Sequence, residues 1–159
     1  MNARRVAFFT DSFHEVNGVA LTSRVFVRFA RRRALPMFSV HAGPRTSLSQ
    51  NGPVTTFEFH RGLVKWNLEH DLAIDLLFPR YRWKLRAALA EFKPERVHIT
   101  GPSDSGVLGA ALAHELGVPL VASWHTNLHE FGARRLAHML RFLPERAQWS
   151  AARDRKSVV

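Results

Sequence analysis

Three polar stretches of the sequence carry side chains suited to chemistry, and each follows an apolar run. The first, TDSFHEVNGVA, spans residues 10 to 20 and contains one glycine, Gly18, just before a helical pattern. A glycine there lets the backbone approach a ligand closely, and the free amides of a helix N-terminus attract anions such as phosphate. An ordinary turn at Asn17-Gly18 is the alternative. With a single glycine, the stretch is neither a GxGxxG fingerprint nor a P-loop.

The second stretch, SWHTNLHE, spans residues 123 to 130. At the carboxyl end of a strand, His125 could hydrogen-bond a polar substrate or transfer a proton. His125 and His129 are also spaced to hold a metal on one helical face. The motif lacks the adjacent glutamate of HExxH, however, and no third ligand is evident. We therefore expect no metal at this stretch.

The third stretch, ITGPSDSG, spans residues 99 to 106. Ser103 and Asp104 are more typical of helix caps than of catalytic groups. If the strands before the three stretches are parallel, then Gly18, Gly101 and His125 lie at one carboxyl edge, where doubly wound sheets bind their ligands. The sequence therefore predicts one shared site.

Apolar runs alternate with helical patterns along the chain. Strands are predicted over residues 5–10, 37–42, 54–60, 96–100 and 118–123. Helices are predicted from Val19, from Pro79 to Phe92, and after Ser103 or Asp104 until Gly117. Residues 43–53 contain several turn formers, and residues 61–78 show no clear pattern. This alternation predicts a Rossmann-like α/β fold, a doubly wound sheet with at least four parallel strands.

The composition sets limits on the class of protein. A chain of 159 residues with 46% hydrophobic residues has the size of one domain. The absence of cysteine excludes a disulfide scaffold and a thiolate metal site. The apolar run near the start ends at Thr10, which is too short for a secretory signal, and no run is long enough to span a bilayer. We expect a cytoplasmic location, with peripheral membrane association left open.

The positive charge points to polyanions as neighbours. The formal net charge is +10 with a pI near 11.4, which favours nucleic acid, anionic lipid or phosphorylated substrates. Arg24, Arg28 and Arg31 share one predicted helix, and Arg80 and Lys84 belong to a later one. A membrane-facing role needs both groups to face the same way, and a solvated helix surface is the simpler interpretation.

Two long segments, taken together, resemble a known enzyme family. The segments RVAFFTDSFHEVNGVALTSR and FKPERVHITGPSDSGVLGAALAHELGVPLVASWHTNLHEF are similar to the amino-terminal domain of retaining glycosyltransferases of the GT-B fold, family 4. The resemblance implies an enzyme of two domains that transfers a sugar from a nucleotide diphosphate sugar to an acceptor. The amino-terminal domain mostly holds the acceptor, and the carboxyl-terminal domain mostly holds the donor.

The resemblance also implies roles for individual residues. Gly18 matches the glycine whose backbone faces the donor diphosphate, and His125 matches the catalytic histidine that contacts the donor sugar near the reacting carbon. Thr126, Asn17 and Asp11 are expected on the acceptor side. The family is thought to use no metal and no cofactor, because the leaving diphosphate itself helps to deprotonate the acceptor, which is a lipid or a small molecule.

The sequence departs from the family at the donor side. In the family, the donor-binding glutamates and the basic pair that binds the diphosphate belong to the carboxyl-terminal domain. No residues of this sequence match them. We therefore expect an acceptor-side domain over residues 1–146, with 147–159 as a tail or the start of an interdomain segment. The chain is expected to be incomplete, and inactive without the carboxyl-terminal domain.

Two other classes of protein are alternatives. A non-catalytic α/β domain could bind nucleic acid through its arginine-rich helices. The aromatic residues, however, occupy apparent core positions and form no stacking surface, so nucleic acid is not expected as a partner. A flavodoxin-like or receiver domain would suit Asp11 after the first strand. A receiver, however, needs an acidic group at the end of its third strand and a lysine after its fifth, where this chain has His60 and Trp124.

Overall fold

The computed structural model describes residues 4–62, 65–69, 72–75 and 77–123, along which strands and helices alternate. The strands are Val6–Phe9 (β1), Met37–Gly43 (β2), Ser47–Asn51 (β3), Val54–His60 (β4), Lys65–Glu69 (β5), Leu72–Asp75 (β6), Arg96–Ile99 (β7) and Leu120–Ala122 (β8). The helices are Gly18–Arg32 (α1), Arg82–Phe92 (α2) and Asp104–Leu116 (α3), with a 3-10 turn at Phe78–Tyr81 before α2. All these elements belong to one unit, Met1–His125. The predicted boundary at residue 146 and the tail 147–159 lie outside the described residues.

The main sheet has its first strand near the centre. Its six strands run in the order β3-β4-β2-β1-β7-β8. The pairs β1–β2, β1–β7, β2–β4 and β7–β8 are parallel, so five strands run the same way. Only β3 is antiparallel to its neighbour in this sheet, and β5 and β6 form a separate antiparallel pair. The predicted Rossmann-like α/β fold with at least four parallel strands is confirmed.

Helices cover both faces of the sheet. Side chains alternate along each strand, so that Ala7 and Phe9 of β1 face one way while Phe8 faces the other. Ala7 and Phe9 belong to the larger core, which includes Leu85 of α2 and Leu112 of α3. The opposite face packs on α1, and its buried cluster consists of Val27, Ala30 and Val54. The doubly wound arrangement therefore follows from strands that are apolar on both faces.

The helix boundaries follow from capping side chains. The Asn17 side chain accepts a hydrogen bond from the backbone amide of Ala20 at 2.8 Å and so begins α1. Ser103 caps α3 in the same way through the amide of Gly106. That helix ends at Gly117, whose φ of 64° is the left-handed conformation predicted for it.

The structure corrects the interpretation of residues 43–53, which were expected to be a turn. Residues Ser47–Asn51 form β3, which pairs antiparallel with β4. All five side chains of β3 are exposed, so no apolar alternation marks the strand in the sequence. The signal was the Asn51-Gly52 pair, because Gly52 adopts the positive φ of 59° that turns the hairpin.

No helix among the described residues is long and apolar enough to cross a membrane.

A glycine in α3 allows the helix to approach the sheet closely. A Cβ added at Gly109 would lie 2.7 Å from Cγ of Phe9 and 3.0 Å from Cγ2 of Ile99. Gly109→Ala should therefore lower the free energy of unfolding by up to about 2 kcal/mol, since an overpacking cost of about 1–3 kcal/mol exceeds the gain of about 1 kcal/mol in helix propensity. Urea denaturation measures the change. Ala111→Gly, at an exposed position of α3, is the control and should cost only its helix propensity. A Gly109→Ala variant as stable as the native chain would contradict the close packing.

Candidate functional site

The loop between β1 and α1 is held by its own side chains. The Thr10 hydroxyl donates to the carbonyl of Ser12 at 3.0 Å and also pairs with the Ser23 hydroxyl of α1 at 2.6 Å. The Asn17 amide donates to the Ser12 hydroxyl at 3.2 Å. The Arg24 guanidinium donates to the carbonyl of Phe13. The loop therefore has a fixed shape without a ligand.

Asp11 joins this loop to the loop after β7. Its backbone amide donates to the Thr100 hydroxyl at 3.0 Å. Its carboxylate accepts a hydrogen bond from the Ser103 hydroxyl, and the Ser105 hydroxyl lies 3.5 Å away. Burial raises the pKa of Asp11 above its ordinary value, and the hydrogen bond from Ser103 only partly offsets this effect.

Gly101 leaves the space that the Asp11 carboxylate occupies. A Cβ at Gly101 would lie 2.1 Å from Oδ2 of Asp11. Because β1 and β7 are parallel neighbours, Gly101 and the loop that ends at Gly18 leave the sheet at the same carboxyl edge. The predicted placement of Gly18 and Gly101 at one edge is therefore observed, whereas His125 and Thr126 lie outside the described residues and the shared site stays a prediction.

An ion pair connects the start of α3 to the segment after β4. The Arg61 guanidinium contacts both carboxylate oxygens of Asp104, with Nε to Oδ2 at 2.9 Å and Nη2 to Oδ1 at 3.0 Å. The Asp104 side chain is fully buried and also accepts from the backbone amides of Asp75 and Ser105. Burial lowers the pKa of Arg61, but the hydrogen bonds to Asp104 outweigh it, so the pKa is raised overall. Sequence reasoning missed this pair, since it treated Asp104 only as a possible cap.

Asp75 forms a second buried anchor near the same segment. Its carboxylate accepts from the backbone amides of Gly62 at 3.0 Å and Leu77 at 2.9 Å, and it pairs with Arg80. Burial raises the pKa of Asp75, but the hydrogen bond from Arg80 and those two amides outweigh it and lower the pKa overall. The chain around Arg61 is therefore fixed from both sides.

Two histidines and a glutamate meet at the carboxyl ends of β2 and β4. Nε2 of His14 lies 3.0 Å from Oε1 of Glu58, and Nε2 of His41 lies 3.3 Å from the same oxygen. Within the part of the chain that the structure describes, this is the group of three or more side chains whose donor atoms are close enough to share a metal ion. These three residues were not predicted from the sequence as a cluster, because they come from three separate segments.

The electrostatics of this cluster follow from its unequal burial. His41 is 1% exposed, and burial lowers its pKa to about 4 although the nearby Glu58 carboxylate raises it. Burial raises the pKa of Glu58, but the hydrogen bond with His14 and the contacts with His41 outweigh it and lower the pKa overall. At neutral pH the cluster therefore holds a neutral buried imidazole beside a carboxylate.

Gly18 faces open space at the start of α1. A Cβ added there would meet no atom of the described residues within 4 Å, so the packing of that part of the fold does not require a glycine at this position. Asn17, predicted on the acceptor side, uses its amide to cap α1 and to brace Ser12. The prediction that Gly18 faces a ligand is compatible with this geometry.

The two arginine groups lie on opposite sides of the sheet. Helix α1 packs on one face and α2 on the other. Arg28 and Arg31 are exposed, while the Arg24 guanidinium contacts the carbonyls of Phe13 and Glu15. The condition for a membrane-facing role of both groups is therefore not met, because the helices alternate between the faces of a doubly wound sheet.

The chain belongs to a known family of enzymes. The sequence model of Glycosyltransferase Family 4 matches residues 16–157, which is most of the chain. The resemblance noted in the sequence is thereby confirmed at the level of the family, and the chain is a member of glycosyltransferase family 4.

Other comparisons add little. No significant match was found among curated proteins. Among solved structures, the C-terminal domain of a hydrogenase from Pyrococcus furiosus is similar at 14% identity and a TM-score of 0.48. The match covers 76% of this chain and 90% of that domain. Similarity at this level carries no information about what this chain binds.

The buried pair of Arg61 and Asp104 generates a stability prediction. Arg61→Met should lower the free energy of unfolding by about 3 kcal/mol, because it leaves the Asp104 carboxylate buried without its counter-charge. The double variant Arg61→Met, Asp104→Asn should recover part of the loss, since no charge then remains buried.

Arg82→Met is the matched control. Arg82 pairs with Glu115 but its side chain is 57% exposed, so its removal should cost about 0–1 kcal/mol. Chemical denaturation of the four proteins forms the test. Equal decreases in the free energy of unfolding for Arg61→Met and Arg82→Met would show that the buried pair stabilises the fold no more than the exposed pair does.

Proposed function

We propose that this chain is the acceptor-side domain of a retaining glycosyltransferase, which transfers a sugar from a nucleotide diphosphate sugar to an acceptor. The observation that carries the proposal is the ordered loop from Thr10 to Asn17, which ends at open space beside Gly18. Membership of glycosyltransferase family 4 gives the reaction class. The loop offers a preformed wall at the sheet edge where ligands of such folds bind.

In the proposed reaction, an acceptor hydroxyl attacks the anomeric carbon of the donor sugar. The bond from that carbon to the diphosphate oxygen breaks on the same face, and the proton of the hydroxyl passes to the leaving diphosphate. His125 would contact the donor sugar near the reacting carbon, and Thr126 and Asp11 would line the acceptor side. No metal and no cofactor enters this scheme.

The described residues offer little charge for the leaving diphosphate. A helix N-terminus such as that of α1 contributes about 0.3–1 kcal/mol, whereas one well-placed donor to a developing charge is worth about 2.7–4 kcal/mol. Arg61 is already neutralised by Asp104 at 2.9 Å. We therefore propose that a separate donor-binding domain supplies most of the stabilisation and that this chain alone does not catalyse transfer.

Calorimetry of the chain alone tests whether donor binding requires the separate domain. The chain should show no measurable sugar transfer, and weak or no heat of binding with nucleotide diphosphate sugars at millimolar concentration. Titration of the same chain with candidate acceptors is the comparison, and an acceptor should give a measurable heat of binding. Micromolar affinity for a nucleotide diphosphate sugar in this chain alone would contradict the proposal.

Gly18→Ala tests the role of the loop in an active two-domain protein that contains this domain. The variant should keep its stability within about 0.5 kcal/mol, because the added Cβ meets no atom of the described residues within 4 Å. The kcat/KM for the donor should fall about tenfold, equivalent to about 1.4 kcal/mol, because the methyl group holds the diphosphate away from the backbone. Ala20→Gly on the buried face of α1 is the control. It should lower the stability but leave kcat/KM for the donor unchanged. Unchanged donor kinetics in Gly18→Ala would remove Gly18 from the site.

Helix α1 supports a second proposal, the docking of this face on an anionic membrane. Its outward face carries a row of exposed apolar side chains, Leu21 at 58%, Val25 at 47% and Phe29 at 52%. Arg28 and Arg32 fall on the same face by helical spacing, and both are exposed. An apolar row between basic groups suits the boundary between lipid headgroups and acyl chains.

Co-sedimentation with vesicles of rising anionic lipid content measures this docking. Replacing Arg28, Arg31 and Arg32 by Gln should weaken binding by about 100-fold, since each basic residue near the surface contributes about 1 kcal/mol. The matched control replaces Arg82, Lys84 and Arg86 of α2 by Gln, which removes the same charge from the opposite side of the sheet. Equal losses in both triple variants would mean that overall charge, not α1, attracts the vesicles.

A further inference from the structure

The cluster of His14, His41 and Glu58 is assigned no role in the glycosyl transfer proposed above. His41 and Glu58 are direct neighbours in the parallel register of β2 and β4. His14 reaches them from the loop between β1 and α1. Their three donor atoms all lie within 4.8 Å of one another. Three separate segments therefore direct nitrogen and oxygen donors at one point.

The distances suit a small cation. Zinc binds imidazole nitrogen at about 2.0–2.1 Å and carboxylate oxygen at about 2.0–2.2 Å, so the ligand atoms of a tetrahedral site lie about 3.3–3.5 Å apart. The separations of 3.0 Å between His14 Nε2 and Glu58 Oε1 and 3.3 Å between His41 Nε2 and the same oxygen are close to this value. The His14 side chain is 50% exposed, which gives it room to adjust.

Surrounding groups hold the buried ligand in place. The ring of Phe13 stacks on the ring of His41, with centroids 3.8 Å apart and planes 12° apart. The Ser39 hydroxyl lies 3.4 Å from Nδ1 of His41, which fixes the far side of the ring and leaves Nε2 facing the cluster. Gly43 has no Cβ, and one placed there would lie 2.9 Å from Cδ of Glu58. The carboxylate thus sits in a space that the backbone leaves for it.

We propose that His14, His41 and Glu58 bind one Zn²⁺ ion, with a further coordination position open to solvent on the His14 side. Two imidazoles and one carboxylate form the donor set of open zinc sites, and imidazole favours Zn²⁺ over Mg²⁺ or Ca²⁺. The bound ion joins the loop at residues 11–17 to β2 and β4, and its open position accepts an oxygen or nitrogen ligand.

Metal titration of the untagged, chelator-treated chain tests the site directly. Calorimetry with Zn²⁺ should give one tight equivalent, and Co²⁺ should give the visible absorption of a low-coordinate site. Zn²⁺ should also raise the melting temperature, because it binds only the folded chain tightly. None of these measurements depends on glycosyl transfer, so failure of either proposal leaves the other untouched.

Variants separate this site from adventitious binding by other histidines. His14→Ala and Glu58→Gln should each weaken Zn²⁺ binding by at least about tenfold and abolish the Co²⁺ absorption. Both side chains are partly exposed, so the variants should remain folded, as circular dichroism will verify. His114→Ala on the exposed face of α3 is the matched control and should bind as the native chain does. Absence of a tight equivalent, or equal affinity in native, His14→Ala and His114→Ala proteins, would overturn the proposal.

Discussion

The Asp11 carboxylate sets how closely the loops after β1 and β7 can approach. Moving a carboxylate out of water is costly unless hydrogen bonds replace those to water. Here the Ser103 hydroxyl donates to it, and Ser105 lies within reach. Gly101 contributes no Cβ, so the carboxylate fits against the backbone. The loops that lead into α1 and α3 are thereby joined at one edge of the sheet.

That edge is rigid before any ligand arrives. Arg61 bridges to Asp104, Asp75 fixes the neighbouring backbone, and the histidine cluster connects β2 and β4 to the first loop. Preorganised polar groups lose little free energy to rearrangement when a ligand binds. The same contacts neutralise Arg61, so its charge is already paired within the fold. The site is therefore better suited to shape and orient a ligand than to stabilise developing charge.

The bounds of strands and helices were predicted from the sequence more accurately than the side-chain contacts between them. Strands with an apolar core pattern, such as residues 37–42 and 54–60, were placed within one residue of their observed bounds, as was the cap at Gly117. The exposed strand β3 was missed because its side chains bury nothing, so only the Asn51-Gly52 turn marked it. Contacts such as His41 beside Glu58 depend on the register between two strands, which the pattern within each strand does not contain.

Among the glycines that the structure describes, some are required by packing, whereas Gly18 is not. Gly109 and Gly101 stand where any side chain would collide with the core or with Asp11, whereas Gly18 stands before open space. Selection for folding would keep glycine at the first two positions, whereas selection for ligand binding would be needed to keep it at Gly18. A lineage that kept this domain as a scaffold but lost its ligand would therefore be free to replace Gly18 by drift while retaining the other two.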